Sequence, residues 1–271
     1  MLLGDSDPVP VVVEGEGRSS PFLLICEHAG NRIPAALGDL GLSPEDLQRH
    51  IAWDPGAEPM ARVLAEALDA TLVIQPYSRL VIDCNRPPRS GESIWTVSES
   101  TPIPGNEGLT NEQAMARVEE VFEPFHRRIA ELLDARDGAG RETIVVTIHS
   151  FTPVYNGFVR PWHVGAQYNR NPEFSHLVNA ALAENEALCV GDNQPYPVND
   201  DTHYTIPVHG EKRGLPHCMI EVRQDLLTTA ADQAAWGRRL AEILAKVRKQ
   251  YRDRYTLGGL APPLSTSSVA R

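Results

Sequence analysis

The stretch Ile-Val-Val-Thr-Ile-His-Ser-Phe, residues 144–151, decides the fold of this chain. Its first five residues are apolar or β-branched, which is the composition of a strand buried within a sheet. Segments of this kind alternate along the chain with segments of helical periodicity. The sequence therefore predicts an α/β fold with a mixed, mostly parallel sheet flanked by helices.

This strand and two other apolar runs each deliver an ionisable residue where the run stops. His149 ends the first run, Phe22–Ile25 leads to His28, and Cys218–Ile220 leads to Glu221. Ligands of open α/β sheets bind at the rim formed by the strand ends. We therefore expect the two imidazoles and the carboxylate to meet there, a combination that indicates a catalytic zinc site.

The chain has 271 residues, of which 42% are hydrophobic, and this suits one large domain with a real core. We expect a single domain over residues 1–271, with an ordered core at about residues 20–257 and a tail rich in Pro, Ser and Thr at residues 258–271. The net charge of −11 and the isoelectric point near 5.3 argue against nucleic acid and anionic membranes as partners, because both require a basic surface. An anionic small substrate must then be captured by local arginines.

Localisation follows from what the sequence lacks. No apolar run approaches the length of a membrane span, and residues 1–10 lack the basic segment and apolar core of a signal peptide. The four cysteines form no C-x-x-C pair, which favours buried, reduced thiols over disulfides or thiolate ligands. We therefore expect a cytoplasmic protein.

Helical periodicity and capping signals define the remaining elements. The predicted helices are residues 55–68, a long helix that starts at the Thr110–Gln113 capping box and is kinked by Pro124, residues 173–184, and a final helix that contains Trp236–Val247. Further strands are predicted at Thr71–Ile74 and Arg79–Asp83. The stretch Arg86–Thr110 has no periodicity and is rich in Pro, Gly, Ser and Glu, so we interpret it as either a functional lid or a disordered segment.

A catalytic zinc usually has three protein ligands and one open position. His28 and His149 supply two nitrogens, and Asp54 is the best remaining carboxylate, since Glu27 on a strand would point away from His28. Asp54 has an alternative interpretation as a helix N-cap ahead of Pro55. Such a mixed His/Asp site suits Zn²⁺, although Mn²⁺ and Fe²⁺ accept similar ligands.

Three motifs in this chain resemble those of the N-formylglutamate amidohydrolase family, which is related in fold to the zinc carboxypeptidases and aspartoacylases. They are Glu27-His28-Ala29-Gly30-Asn31, Ser78-Arg79-Leu80-Val81-Ile82-Asp83-Cys84-Asn85-Arg86 and Ile148-His149-Ser150-Phe151. The resemblance covers about Leu24 to Leu227. It implies a zinc-peptidase-like fold and an amidase that acts on small N-acyl amino acids rather than a peptidase.

The resemblance also implies roles for individual residues. The zinc carboxypeptidases have similar motifs for a metal-binding histidine, an Asn-Arg pair that holds a substrate carboxylate, and a catalytic glutamate. The matching residues here are His149, Asn85 with Arg86, and Glu221 with Arg223, although Gln224 is inserted before Asp225. A second departure is Asn31, which stands where a zinc-peptidase-like site has a carboxylate ligand.

The physical properties of these residues agree with such roles. Glu221, after an apolar run, can accept a proton from an attacking water and return it to a leaving amine. Arg86 offers a planar fork for a substrate carboxylate and Asn85 a neutral donor beside it. Arg79 either binds substrate or forms a salt bridge with Asp83, which shares its face of the predicted strand.

Several of these residues have simpler interpretations. Arg86 could be solvated beside two prolines, and His209 either donates to the substrate or oxyanion or lies in a turn with His203. His126 and His176 are predicted to lie on helix surfaces, without a role in the site.

The sequence thus predicts a metal-dependent amidohydrolase that cleaves the linear amide of a small N-acyl amino acid such as N-formylglutamate. A metal-bound water attacks and Glu221 acts as the general base. One alternative is a metallocarboxypeptidase that acts on short peptides, and another is a catalytically silent protein that binds small molecules. Metal analysis distinguishes the silent protein from an enzyme, and a panel of acyl amino acids distinguishes the two enzymes.

Overall fold

The computed structural model describes residues 1–255, so the predicted tail at residues 258–271 lies outside the described residues. The strands are β1 (Val12–Glu14), β2 (Phe22–Cys26), β3 (Thr71–Ile74), β4 (Val97–Ser98), β5 (Thr101–Pro102), β6 (Ile144–Phe151), β7 (Val154–Tyr155), β8 (Phe158–Val159), β9 (Val164–Gln167), β10 (Val190–Asp192) and β11 (His217–Arg223). The α-helices are α1 (Ala57–Ala67), α2 (Asn111–Arg117), α3 (Glu123–Gly138), α4 (Glu173–Ala183) and α5 (Ala230–Tyr255).

A seven-stranded sheet in the order β1-β3-β2-β6-β11-β9-β10 forms the centre of the molecule. Strands β3, β2, β6 and β11 are parallel to one another, whereas β1 pairs with β3 and β9 pairs with β11 in the antiparallel sense. Helices cover both faces of this sheet, so the predicted fold class, a mixed and mostly parallel α/β sheet, is confirmed. The sheet also includes β1, which precedes the expected start of the core at residue 20.

The alternation of side chains along each strand explains the two hydrophobic layers. Leu24 and Cys26 of β2 face the layer formed by α1, α4 and α5, whereas Leu23 and Ile25 face the layer formed by α3. Every residue of β2 and β6 is buried, as expected for central strands covered on both sides.

The predicted strand at Arg79–Asp83 is wrong. Residues 79–81 form a turn, closed by the Val81 N–H, which donates to the carbonyl of Ser78 at 2.9 Å. The neighbouring strand β3 already pairs with β1 on one side and β2 on the other, so no edge is left for this segment. It instead crosses the carboxyl ends of the strands, which brings Arg79 and Asp83 to the rim of the sheet.

The stretch Arg86–Thr110 is ordered, so the alternative of a disordered segment is wrong. It contains the β4–β5 hairpin and a short 3₁₀ turn at Pro104–Asn106. The buried guanidinium of Arg117 holds this turn in place, because it donates to Asn106 Oδ1 at 2.7 Å and to the carbonyl of Val81 at 2.9 Å. The lid function of the segment stays a prediction.

The capping box is confirmed, since the Thr110 hydroxyl accepts from the Gln113 N–H and the Gln113 side chain accepts from the Thr110 N–H. The irregularity in the long helix lies before Pro124, where Val118–Phe122 form a π-helical turn. Pro124 itself lies in the first turn of α3, where its missing N–H removes no helical hydrogen bond.

The structure bears on the expected lack of membrane spans and on the expected burial of the cysteines. Across residues 1–255, no helix combines the length and the apolar character that a membrane crossing requires. All four cysteines are free thiols. Three of them are buried, as expected, whereas Cys189, just before β10, is exposed.

Gly30 shows how tightly the loop after β2 is held. A Cβ atom at this position would lie 2.1 Å from the carbonyl oxygen of Pro76. We expect Gly30→Ala to lower the free energy of unfolding by about 1–3 kcal/mol, because backbone must move to admit the methyl group. Gly91→Ala is the control, since an added Cβ meets no atom within 4 Å there. Denaturant unfolding of both variants tests this, and equal stabilities would show that the loop is not constrained at Gly30.

Candidate active site

The ionisable residues meet at the carboxyl ends of the parallel strands because of strand periodicity. Glu27 continues the alternation of Leu23 and Ile25 just beyond β2, and His149 continues that of Val145 on β6. His149 and Glu221 are register partners on the adjacent parallel strands β6 and β11. The buried layer that is apolar along most of the sheet therefore becomes polar at the strand ends.

Asp54 is held against this rim by backbone contacts. Its N–H donates to the carbonyl of His28 at 2.9 Å, and its Oδ2 accepts from the Ser150 N–H at 3.3 Å. The N-cap of α1 is Gly56, which has the left-handed φ of +81°. The alternative interpretation of Asp54 as a helix N-cap is therefore wrong.

His28, Asp54 and His149 form a buried cluster that could hold a metal ion, since their candidate ligand atoms all lie within 4.8 Å of one another. The Nδ1 atoms of the two imidazoles both approach Asp54 Oδ2, at 3.4 Å for His28 and 2.9 Å for His149. The two rings lie edge to face with centroids 5.0 Å apart. The predicted triad is thus brought together by the fold.

Each imidazole also contacts a second carboxylate through its other nitrogen. Asp83 Oδ1 lies 2.7 Å from Nε2 of His28, and Glu27 Oε2 lies 3.2 Å from Nε2 of His149. Carboxylates in this position fix the tautomer and orientation of metal-binding histidines. Sequence reasoning missed this contact of Glu27, although its place on the same strand face as Ile25 was a signal for it.

The buried charges of the cluster stabilise one another. Burial alone would lower the pKa of both imidazoles, but Asp83 and Asp54 raise the pKa of His28, and Glu27 and Asp54 raise that of His149 well above its usual value. Burial would raise the pKa of Asp54, but the two imidazoles hold it well below its usual range. The negative charges of these carboxylates therefore favour the protonated form of both imidazoles.

Glu221 differs from the other carboxylates of the site. It is buried, and burial raises its pKa to about 7, with the charge of Asp54 adding to the shift and His149 opposing it. Its Oε2 has no hydrogen-bond partner among the described residues. A carboxylate with such a pKa can exchange protons near neutral pH, as a general base requires.

A cavity of about 140 Å³ opens above the cluster. Of the residues predicted to bind substrate, Arg79, Asn85 and Arg86 line it. Asn85 is fixed by its Oδ1, which accepts from the Tyr204 and Thr205 N–H groups at 3.3 and 3.2 Å.

Both cavity-lining arginines of this group are paired with carboxylates of the protein. Arg79 contacts Asp83 at 2.6 Å and Asp54 at 3.6 Å, so the predicted salt bridge with Asp83 is present. Arg86 donates to the carbonyl of Thr202, lies 3.8 Å from Asp83 and 3.7 Å from Glu92, and is therefore not simply solvated.

Arg223 and His209, also predicted to bind substrate, do not line the cavity. Arg223 pairs with Asp225 at 2.7 Å and donates to the carbonyls of residues 160–162, which fixes it to the loop before β9. His209 is buried against His126, with 3.0 Å between His209 Nε2 and His126 Nδ1. His126 is consequently buried and not on a helix surface, because the π-helical segment Ile206–Glu211 packs over it.

Sequence reasoning missed other residues of the cavity wall. Trp95, Tyr155, Tyr196 and Gln224 line it, as does His203, for which a role in the site or in a turn was left open. These residues come from loops, short turns and the β7–β8 hairpin, so only the fold reveals their position.

Comparisons with known proteins agree with this geometry. Residues 20–228 match the sequence model of the N-formylglutamate amidohydrolase family. The N-formylglutamate deformylase of Pseudomonas aeruginosa is 28% identical over 261 residues, which cover 87% of this chain and 95% of that protein.

Two solved structures share the fold. A gene product of Agrobacterium tumefaciens is 40% identical with a TM-score of 0.90, over 93% of this chain and 100% of the other. The N-formylglutamate amidohydrolase of Ralstonia eutropha JMP134 is 20% identical with a TM-score of 0.62, over 88% of this chain and 99% of the other. The fold, the strand-end cluster and the match over residues 20–228 together show that the chain belongs to the N-formylglutamate amidohydrolase family, a family of hydrolases of linear amide bonds.

Proposed function

We propose that this protein is a metal-dependent amidohydrolase that releases a free amino acid from a small N-acyl amino acid, with N-formylglutamate as the leading substrate. The observation that carries this proposal is the cluster of His28, Asp54 and His149 beside Glu221, in a chain of the N-formylglutamate amidohydrolase family. The small cavity, bordered by Trp95 and by Ser98 of the β4–β5 hairpin, supports a small substrate over a peptide.

The residues present fit a divalent metal. Nδ1 of His28 is buried without a hydrogen-bond partner among the described residues, although it points toward Asp54. Two imidazoles and one carboxylate form a donor set that suits Zn²⁺, and they leave room for a further ligand. A divalent ion held by these residues would polarise the substrate carbonyl and lower the pKa of a bound water.

Glu221 would accept a proton from the water that attacks the amide carbon. Its buried position on β11, as the register partner of His149, supports this role. It would then return the proton to the departing nitrogen, which leaves as the free amine. This proton transfer requires a carboxylate with a raised pKa that is not held in a salt bridge. Burial raises the pKa of Glu221 to about 7.

Asn85 and Arg86 would bind and orient the substrate's α-carboxylate. Both line the cavity, and Asn85 lies beside Met219 of β11, two residues from Glu221. Arg86 keeps its orientation through the Thr202 carbonyl and lies over the ring of Trp95 at 6.0 Å. A substrate held at its carboxylate would present its amide to the metal cluster.

The metal site is tested by removing its nitrogen ligands. We expect His28→Ala, His149→Ala and the double variant to lose stoichiometric metal while they retain the fold, because the cluster lies at the rim of the sheet. Metal content after dialysis and circular dichroism measure the two properties. A double variant that binds zinc with the affinity of the parent would contradict the proposed site.

The roles of Glu221 and Glu27 are separated by a pair of matched variants. Glu221→Gln should keep its metal and lose about 100-fold or more in kcat, because it cannot accept the proton. Glu27→Gln should bind metal roughly 10- to 100-fold more weakly, because His149 loses its orienting carboxylate, and should recover activity in excess metal. Metal titration and kcat at saturating metal distinguish the two. A Glu221→Gln variant with near-normal kcat would move the base elsewhere, with Glu27 as the first candidate.

Arg86 is tested by comparing a free-acid substrate with its amide. Arg86→Lys should reduce kcat/KM for N-formylglutamate by roughly 2 kcal/mol of transition-state stabilisation, since a bidentate pair with the α-carboxylate is lost. N-formylglutamic acid α-amide should be hydrolysed slowly by the parent and lose little more in the variant. Equal losses for acid and amide would assign Arg86 to support of the fold or of the metal site.

The activity itself is tested with a panel of N-formyl and N-acetyl amino acids and of dipeptides, assayed with the zinc-loaded protein. Release of amine from an N-acyl amino acid, with slower cleavage of dipeptides, is the expected result. Preferential cleavage of dipeptides would favour a metallocarboxypeptidase. A protein that holds zinc and hydrolyses none of these compounds would contradict the proposal.

A further inference from the structure

His203 lies in the wall of the cavity, between two residues that are held by the proposed carboxylate-binding pair. Arg86 donates to the carbonyl of Thr202, and Asn85 Oδ1 accepts from the Tyr204 N–H at 3.3 Å. The backbone of His203 is therefore fixed beside both residues that would bind the α-carboxylate. His203 itself lines the cavity, and only 7% of the residue is exposed.

The hydrogen bonds of this imidazole determine which of its nitrogens carries the proton. The Asn199 N–H donates to Nδ1 of His203 at 3.4 Å, and the Thr202 hydroxyl lies 3.1 Å from the same atom. A backbone N–H can only donate, so Nδ1 must be the unprotonated nitrogen of the ring. The proton of the neutral imidazole is therefore on Nε2.

The Nε2–H group of His203 is available to a ligand. Nε2 makes no hydrogen bond within residues 1–255 but is not enclosed by them, so it can meet a ligand in the cavity. Burial lowers the pKa of His203 to about 3, with Arg86, His149 and His28 adding to the shift and Asp83 opposing it. The imidazole is therefore neutral near pH 7, and its proton stays on the nitrogen that can donate.

We propose that His203 donates from Nε2 to the α-carboxylate of the substrate, as a third donor beside Asn85 and Arg86. This role rests on the proposed function, in which Asn85 and Arg86 bind that carboxylate. The charge of Arg86 is partly offset by Asp83 and Glu92, at 3.8 and 3.7 Å, so a further donor strengthens the binding. A carboxylate has about four acceptor positions on its two oxygens, which is enough for three donors.

A purely structural role for His203 would depend on its other nitrogen. Nδ1 accepts from the N–H of Asn199, and the backbone N–H of His203 donates to the carbonyl of Asn199 at 3.0 Å, which closes a turn at residues 199–203. If this turn were the whole purpose of His203, loss of the acceptor at Nδ1 would impair all substrates alike. Loss of the donor at Nε2 would then have no effect, whereas the proposed role predicts that it weakens binding of the carboxylate.

Two amide side chains separate these roles, because each reproduces one nitrogen of the imidazole. His203→Asn can accept at the position of Nδ1 and has no donor at Nε2, whereas His203→Gln places an N–H group near Nε2. In the zinc-loaded protein, His203→Asn should raise KM for N-formylglutamate roughly 10- to 100-fold and KM for its α-amide less than about 3-fold, as for loss of a hydrogen bond to a charged group. His203→Gln should keep KM for the acid within about 3-fold of the parent. His176→Asn is the control, because the side chain of His176 is half-exposed and lies outside the cavity lining.

The outcomes decide between the two nitrogens of His203. Equal losses on acid and amide in His203→Asn, or a normal His203→Asn beside an impaired His203→Gln, would overturn the proposal. The ratio of KM between His203→Asn and the parent should also be the same at about pH 6 and about pH 8, because a neutral imidazole donates at both. A ratio that falls as the pH rises would show that His203 binds the carboxylate as a cation, against the proposed neutral donor.

Nitrogen NMR of the imidazole tests the position of the proton in the parent protein, without any substitution. His203 should carry its proton on Nε2 and none on Nδ1 near neutral pH. A proton on Nδ1 would leave Nε2 without a hydrogen to donate. That result would overturn the proposal even if neither variant folds.

A binding measurement separates failure of this role from failure of the proposed function. Glutamate and its α-amide differ at the α-carboxylate, and neither has an N-acyl group to lose. Calorimetry should show that the parent binds glutamate more tightly than the amide and that His203→Asn loses about 10-fold in affinity for glutamate alone. If the parent hydrolyses no acyl amino acid but shows this pattern, the function fails and the role of His203 stands. If it hydrolyses N-formylglutamate and the pattern is absent, the role of His203 fails alone.

Discussion

The contact of two buried imidazoles with one carboxylate is the interaction on which the site depends. Asp54 approaches both His28 and His149, and the other nitrogen of each imidazole faces Asp83 or Glu27. Uncompensated charges of this kind would be strongly unfavourable in the interior, so each member is held in place by the others. Removal of Asp54 would therefore affect the orientation of both histidines, whereas Asp83 and Glu27 each contact one of them.

This requirement explains the irregular backbone around the rim. The Asp54 N–H is tied to the carbonyl of His28, which fixes the loop after β2 to the loop before α1. The turn that replaces the predicted strand at Arg79–Asp83 carries two opposite charges to the same point, where Arg79 contacts both Asp83 and Asp54. An extended strand would have kept these side chains along a sheet edge and away from the cluster. The turn conformation of residues 79–81 therefore allows Arg79 to contact both carboxylates.

The parts of the site that the sequence predicted are those that regular strands position. His149 and Glu221 follow apolar runs, and the ends of parallel strands meet at one edge of the sheet. Assigning the two strands was therefore enough to predict that these residues lie close together. Asp54 was identified by elimination among carboxylates. Arg223 and His209 lie outside the cavity lining, because adjacency in sequence to a site residue, or to a loop near it, does not decide on which side of the chain a side chain lies. Glu27 was missed although strand alternation places it on the face of Ile25, whereas Trp95 and Tyr196 come from loops whose course only tertiary packing determines.

In the proposed function, the charge balance of the cavity links metal binding to substrate binding. Four carboxylates, those of Glu27, Asp54, Asp83 and Glu221, are buried around the rim, and the whole chain is strongly acidic. An anionic substrate would meet an unfavourable field in such a cavity. A divalent cation held by His28, Asp54 and His149 would reverse this balance locally, and the low dielectric of the buried rim would extend its effect to the cavity wall. The residues that would hold a metal would therefore also create the field in which Arg79 and Arg86 capture a carboxylate.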